Sequence, residues 1–323
     1  MTMNILGIDI AKTKFDVCLM ATGRNHFNTF ENNQAGFAAL DSWLARHAAG
    51  SVHACMEATG NWGLDVAAHL YASGATVSIV NPRQVKSFGG SELARNKTDR
   101  LDAALLARFC RAHTPAPWSP PLAHMRELRE LVRRCASLKS ARTQEVNRQK
   151  AGAVSPVLHA SIARMLRQID DEIAAMTAAI RDLVDQDVAL RTNFTLICSI
   201  PGIGETTAAL ILAELPNLAS FTPKGLAAFA GLSPSEHSSG ARQRSVGITR
   251  IGHAALRSAL YLCALSARRH NPQFTDFVAR MTAAGKPKRV ILIAIARKLL
   301  VLAHTVVRKQ TAFMAEAPRT VPA

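Results

Sequence analysis

At 323 residues, 48% hydrophobic and 19% charged, the chain has apolar material for one large core or two to three smaller ones, which excludes a mainly disordered protein. The most apolar stretch, Val290 to Ala303, is broken by Arg297 and Lys298, which argues against a membrane span. Asp9 and Lys12 interrupt the first apolar run, so no signal peptide is expected. The net charge of +16 is unevenly spread: residues 1–115 hold 11 basic and 9 acidic side chains, 116–190 again 11 and 9, and 191–323 hold 17 and 5. A folded, strongly basic segment points to a polyanion, most often nucleic acid, although a basic surface also serves solubility alone. Six scattered cysteines with no CxxC pair argue against a zinc site or disulfide framework and fit a reducing, cytoplasmic setting.

In chain order, residues 4–10 and 14–20 read as two short strands with a tight connection, and 25–30 as a third. Residues 34–48 read as a helix with Phe37, Leu40, Trp43 and Leu44 on one side. A fourth strand, 51–57, ends at Glu57; a helix over 62–73 and a fifth strand over 75–80 follow. Thr98 is placed to cap a helix over 98–112 with Asp99 in its first turn. This order predicts an α/β layer with a mixed sheet. Thr114-Pro-Ala-Pro-Trp-Ser-Pro-Pro121 reads as a linker, and beyond it the pattern is helical. Leu128, Leu131, Cys135 and Leu138, then Ile162, Leu166, Ile169, Ile173, Met176, Ile180 and Leu183, recur at alternating spacings of three and four. That seam predicts a helical hairpin or coiled coil, within one chain or across a dimer. The expected division is therefore 1–115, 116–190 and 191–323.

Four carboxylates stand out in the first segment. Asp9 ends the first strand and Glu57 the fourth, while Asp99 and Asp102 share one face of the capped helix. Adjacent parallel strands and a covering helix bring such groups together, where they repel unless a cation intervenes. Hard oxygen donors suit magnesium or manganese, and two such ions can polarise a scissile phosphate. Each acid taken singly also reads as an ordinary helix-start or strand-end charge.

Gly7-Ile8-Asp9 with Ala11-Lys12, Met56-Glu57-Ala58-Thr59-Gly60, and Asn96-Lys97-Thr98-Asp99 with Asp102-Ala103 resemble the RuvC-like DEDD domain of bacterial insertion-sequence transposases, the group numbered one-ten with its eleven-eleven branch. The resemblance implies an RNase H-like fold in which Asp9, Glu57, Asp99 and Asp102 form the metal-binding catalytic tetrad, with Lys97 beside it as a nucleic-acid contact.

In the basic third, Pro201-Gly-Ile-Gly204 lacks the third glycine of a dinucleotide fingerprint. It reads better as a helix-hairpin-helix, Gly202 and Gly204 letting a DNA backbone approach a helix N-terminus, or as an ordinary helix–helix turn. Residues 231–253 read as a Gly/Ser/Arg-rich loop, whose Arg242, Arg244 and Arg250 are suited to gripping phosphates. No Gly-x-Ser-x-Gly elbow is present. Gly231-Leu-Ser-Pro, Ser239-Gly240 and Ile251-Gly252-His253 resemble the C-terminal domain of the same transposases, which implies that Ser239 is the DNA nucleophile, with Ser238 beside it. The resemblance further implies a site composed from both domains, a homodimer or tetramer, donor and target double-stranded DNA, and a structured guide RNA. A junction nuclease using water and a non-catalytic nucleic-acid-binding protein are the rival readings.

Overall fold

A computed structural model describes residues 3–21, 23–47, 50–58, 60, 62–91, 98–152, 155–239, 242–249 and 251–314. The chain forms two compact units, Met1–Pro120 and Pro121–Ala323.

The first unit is built on a five-stranded sheet. β1 (Asn4–Ile10) pairs antiparallel with β2 (Lys14–Ala21), which pairs antiparallel with β3 (Arg24–Glu31). β4 (Val52–Glu57) runs parallel to β1, and β5 (Thr76–Val80) parallel to β4, giving the order β3-β2-β1-β4-β5. The mixed α/β layer expected from the sequence is present. Helices α1 (Gln34–His47), α2 (Leu64–Ala72), α3 (Pro82–Ser91) and α4 (Asp99–His113) complete the unit. The two-residue period divides β1 between two cores. Leu6 and Ile8 pack with Phe37, Leu40, Met56, Val66 and Leu70, whereas Ile5 packs with Cys55, Ala103, Leu106 and Ala107 of α4. The proline-rich segment straps the edge strand: Trp118 N–H donates to Val77 O at 2.6 Å, and Ser78 Oγ donates to the carbonyls of Pro115 and Ala116.

The second unit starts with two long paired helices, α5 (Ala123–Lys150) and α6 (Pro156–Gln186). Then come α7 (Val188–Cys198), α8 (Glu205–Glu214), α9 (Pro223–Phe229), a hairpin of β6 (Pro234–Ser239) and β7 (Arg242–Ile248), α10 (Ala254–His270), α11 (Thr275–Ala283) and α12 (Lys288–Lys309). Residues of segments 116–190 and 191–323 are buried in one core. Leu128, Val132 and Cys135 of α5 and Ile180, Leu183 and Val184 of α6 are buried with α8, α10 and α12. The expected serine loop is corrected: residues 234–239 and 242–248 form a two-stranded antiparallel ribbon, with Ser239 paired to Arg242 and His237 to Arg244. α12 is long and apolar enough to cross a bilayer, but 56% of that window is buried, with Ile291, Ile295, Leu299 and Ala303 in the core.

One polar network joins three of these elements. Glu214, at the end of α8, has a 5% exposed side chain. Arg133 of α5 donates to both its oxygens at 2.9 and 3.0 Å, and His253 Nε2 lies 3.3 Å from it. Arg129 Nε lies 3.8 Å away and donates to Ala213 O at 3.0 Å. His253 in turn caps α10, Nδ1 accepting from Leu256 N–H at 3.2 Å, and stacks on Phe229. Burial pushes the Glu214 carboxyl up, but the hydrogen bonds from His253 and Arg133 outweigh it and hold the group down at about 2.

Candidate active site

The sheet register places three acids in a row. Ile8 is aligned with Met56, so Asp9 and Glu57 occupy matching positions one residue further along adjacent parallel strands. Asp9 is directly opposite Asp16 on β2, on the same face. That face is covered by α4, and Gly7 explains how closely. A Cβ at Gly7 would lie 2.1 Å from Ala103 O and 2.4 Å from Ala107 N, so the helix backbone rests on a bare α-carbon. The same contact carries the first turn of α4, with Asp99 and Asp102, toward Asp9. Thr98 caps the helix as expected, its Oγ1 accepting from Leu101 N–H at 3.3 Å.

The neighbouring acids act on Asp9. Burial raises the Asp9 carboxyl first, then the negative charges of Asp102, Asp99 and Asp16, against one backbone N–H from Ile10 that lowers it. Lys14 answers part of this charge, its Nζ lying 2.9 Å from Asp99 Oδ2 and 3.2 Å from Asp16 Oδ2. The donor set is hard oxygen, the chemistry a divalent cation prefers. The spacing differs from expectation, however. Among the described residues, no three His, Cys, Asp or Glu side chains lie close enough together to hold a metal ion. The acids are neighbours without forming one coordination sphere, and Asp99, 60% exposed, is paired with Lys14.

Two residues were missed by sequence reasoning. Asp16 reads as a solvent-facing strand acid until its pairing with Asp9 is known. Trp62 is 51% exposed in the segment that follows Glu57, with Lys12 Nζ 5.6 Å from its ring centroid. Asn32 Nδ2 donates to both Trp62 O at 2.9 Å and Ala11 O at 3.1 Å, tying that segment to the β1–β2 turn. The signal was present as an aromatic two residues past Gly60.

In the second unit, Ser239 ends β6 and Arg242 begins β7. Arg244 is described by its backbone pairing, and Lys97 and Arg250 lie outside the described residues. The root of the ribbon is held firmly: Thr249 N–H donates to Ser233 O at 3.0 Å, His253 N–H to Phe229 O at 2.7 Å, and Arg257 Nη1 to Ala230 O at 3.1 Å. Gly252 fits because a Cβ there would meet Phe229 O at 2.4 Å and Gly231 N at 2.5 Å. In Pro201-Gly-Ile-Gly204, Gly202 adopts φ +102° and faces α10, where a Cβ would lie 2.5 Å from Ala267 Cβ. That gives Gly202 a packing reason. Gly204 precedes α8 with nothing within 4 Å of an added Cβ.

Residues 6–152 match the family model described as a transposase with a DEDD domain of the IS110 type, and residues 194–279 match the model described as transposase of the IS116/IS110/IS902 family. The chain is 35% identical to the pilin gene-inverting protein of Moraxella bovis, over 97% of this chain and 98% of that protein. It is 27% identical to the transposase for insertion sequence element IS1111A of Coxiella burnetii, over 85% of this chain and 80% of that one. Among solved structures, T. thermophilus RuvC in complex with a Holliday junction substrate matches with a TM-score of 0.29 and 17% identity, covering 36% of this chain and 100% of that one. The two family models and the relative matched along its length define a transposase, a DNA-rearranging enzyme. The chain belongs to the IS110/IS1111 family of transposases.

Proposed function

We propose that this transposase is a cytoplasmic enzyme that cuts and rejoins DNA through a covalent link to Ser239, with donor and target selected by a structured guide RNA. The row Asp9, Asp16 and Glu57, with Asp99 and Asp102 near Asp9, is the observation that supports metal-assisted cleavage, while the serine link and the guide RNA rest on the family resemblance. Ser239 Oγ attacks a DNA phosphorus. The new Oγ–P bond forms as the P–O bond to the departing 3′ or 5′ oxygen breaks, and the hydroxyl proton is passed on as that oxygen is protonated. Rejoining reverses the step on a second DNA end. Asp9, Glu57, Asp99 and Asp102 are the residues that would hold magnesium or manganese, which would supply positive charge to the phosphoryl oxygens. The chain's own contribution is placement. Gly7 seats α4, Lys14 balances Asp16 and Asp99, and Asn32 fixes the segment bearing Trp62.

On this reading, segment 1–115 is the RuvC-like domain, 116–190 carries the contact of a homodimer or tetramer, and 191–323 brings the nucleophile and DNA contacts. Lys97, Gly204, Arg242, Arg244 and Arg250 contact nucleic acid, and Gly202 supports the turn. The gene-inverting name of the Moraxella relative agrees with a DNA-rearranging activity. The test is a denaturing-gel assay for protein–DNA adducts. Ser239→Ala abolishes the adduct while Ser238→Ala retains it. Asp9→Asn and Asp102→Asn lose strand cleavage. An adduct at the normal level in Ser239→Ala overturns the serine assignment in favour of water as nucleophile.

A further inference from the structure

A groove of about 1730 Å³ opens in the second unit between α10, α11 and α12. The root of the serine ribbon, Pro234, Gly247 and Ile248, forms one wall. Its floor is apolar: Tyr261 and Leu262 of α10, Met281 of α11, and Ile293 and Leu302 of α12. Leu262 is 65% exposed on a helix whose opposite side is fully packed. Arg257, Arg280, Arg289, Arg297 and Lys298 line it, against a single acid, Asp276. Arg257 is engaged with Ala230 O, and Lys298 sits 4.9 Å over the Phe277 ring. Among the described ion pairs of this unit, none takes up Arg280, Arg289 or Arg297.

Five cations over an apolar floor call for a ligand that is both anionic and flat-faced. Duplex DNA offers phosphates but keeps its base faces stacked inside, so it would leave Tyr261, Leu262 and Met281 facing water. An unpaired strand presents phosphate and base face together, and basic grooves with aromatic platforms are the physical basis of single-strand binding. We propose that this groove holds an unpaired stretch of the DNA strand leading to the phosphate attacked at the ribbon. DNA is favoured over RNA as occupant because the groove is continuous with the ribbon carrying Ser239. That choice of strand rests on the serine reading above; single-strand binding itself does not.

The test uses the full chain, a fluorescent oligodeoxythymidylate about 16 nucleotides long, an RNA of matching sequence, and a duplex of the same length. Arg280→Ala/Arg297→Ala lowers single-strand DNA affinity at least tenfold and reduces the salt slope by about 1.4, roughly 0.7 for each phosphate no longer neutralised. Leu262→Ser, at an exposed position that does not threaten the core, weakens the same strand about fivefold and leaves the duplex unchanged. Ser239→Ala keeps single-strand binding whether or not it forms an adduct, so the groove and the nucleophile are judged separately. Unchanged oligodeoxythymidylate affinity in both variants, equal loss for duplex, tighter binding of the RNA, or a loss of self-association in place of DNA binding each overturns the proposal.

Discussion

Replacing Glu214 by glutamine keeps the side chain's shape and removes its charge. The folded protein holds this carboxyl at about 2 rather than 4.5, which corresponds to about 3 kcal/mol of folding stability at about 1.4 kcal/mol per pH unit. Because the folded value lies below the unfolded one, that stability is complete above about pH 4.5 and fades as the pH falls toward 2. Glu214→Gln is therefore expected to cost about 3 kcal/mol at neutral pH, and the gap to the parent protein should close on acidification. All three tryptophans, Trp43, Trp62 and Trp118, lie in the first unit. Urea unfolding followed by far-ultraviolet circular dichroism reports mainly on the helical second unit, while tryptophan fluorescence reports on the first and should not move. A variant within about 0.5 kcal/mol of the parent at neutral pH, or a gap that persists undiminished in acid, refutes the reasoning.

Gly7→Ala should push α4 away from β1, destabilise the first unit by about 3 kcal/mol and abolish strand cleavage, as denaturation and a nicking assay would show. The two glycines near residue 203 should separate: Gly202→Ala costs at least about 1 kcal/mol through its positive φ and Ala267, whereas Gly204→Ala is neutral for stability. A fall in DNA affinity for Gly204→Ala alone would mark close approach of a phosphate backbone there. Trp62→Ala, at an exposed ring, should leave the melting temperature unchanged and weaken DNA binding about fivefold in a fluorescence titration.

The first unit was legible because β strands and caps write themselves locally. Leu6 and Ile8 alternate with Ile5 and Gly7, and Thr98 announces its helix one residue before it begins. Asp9 and Glu57 were readable as strand ends, and the register aligned them as adjacent parallel strands should. Asp16 was not readable, since its importance comes from a cross-strand partner rather than from its neighbours in sequence. The paired helices α5 and α6 followed from the three-four seam, but periodicity marks an apolar face without naming what covers it. Leu128 and Val132 turned out to pack in one core with α8 and α12. The ribbon of β6 and β7 was hidden by its Ser, Gly and Arg content, which reads as a loop.

The missing side chain at Gly7 has a mechanical consequence. With peptide groups of Ala103 and Ala107 set directly on the strand, no compressible layer of methyl groups separates lever from anvil. The helix cannot rock on β1 without backbone parting from backbone, so the places of Asp99 and Asp102 hang on that one hard contact.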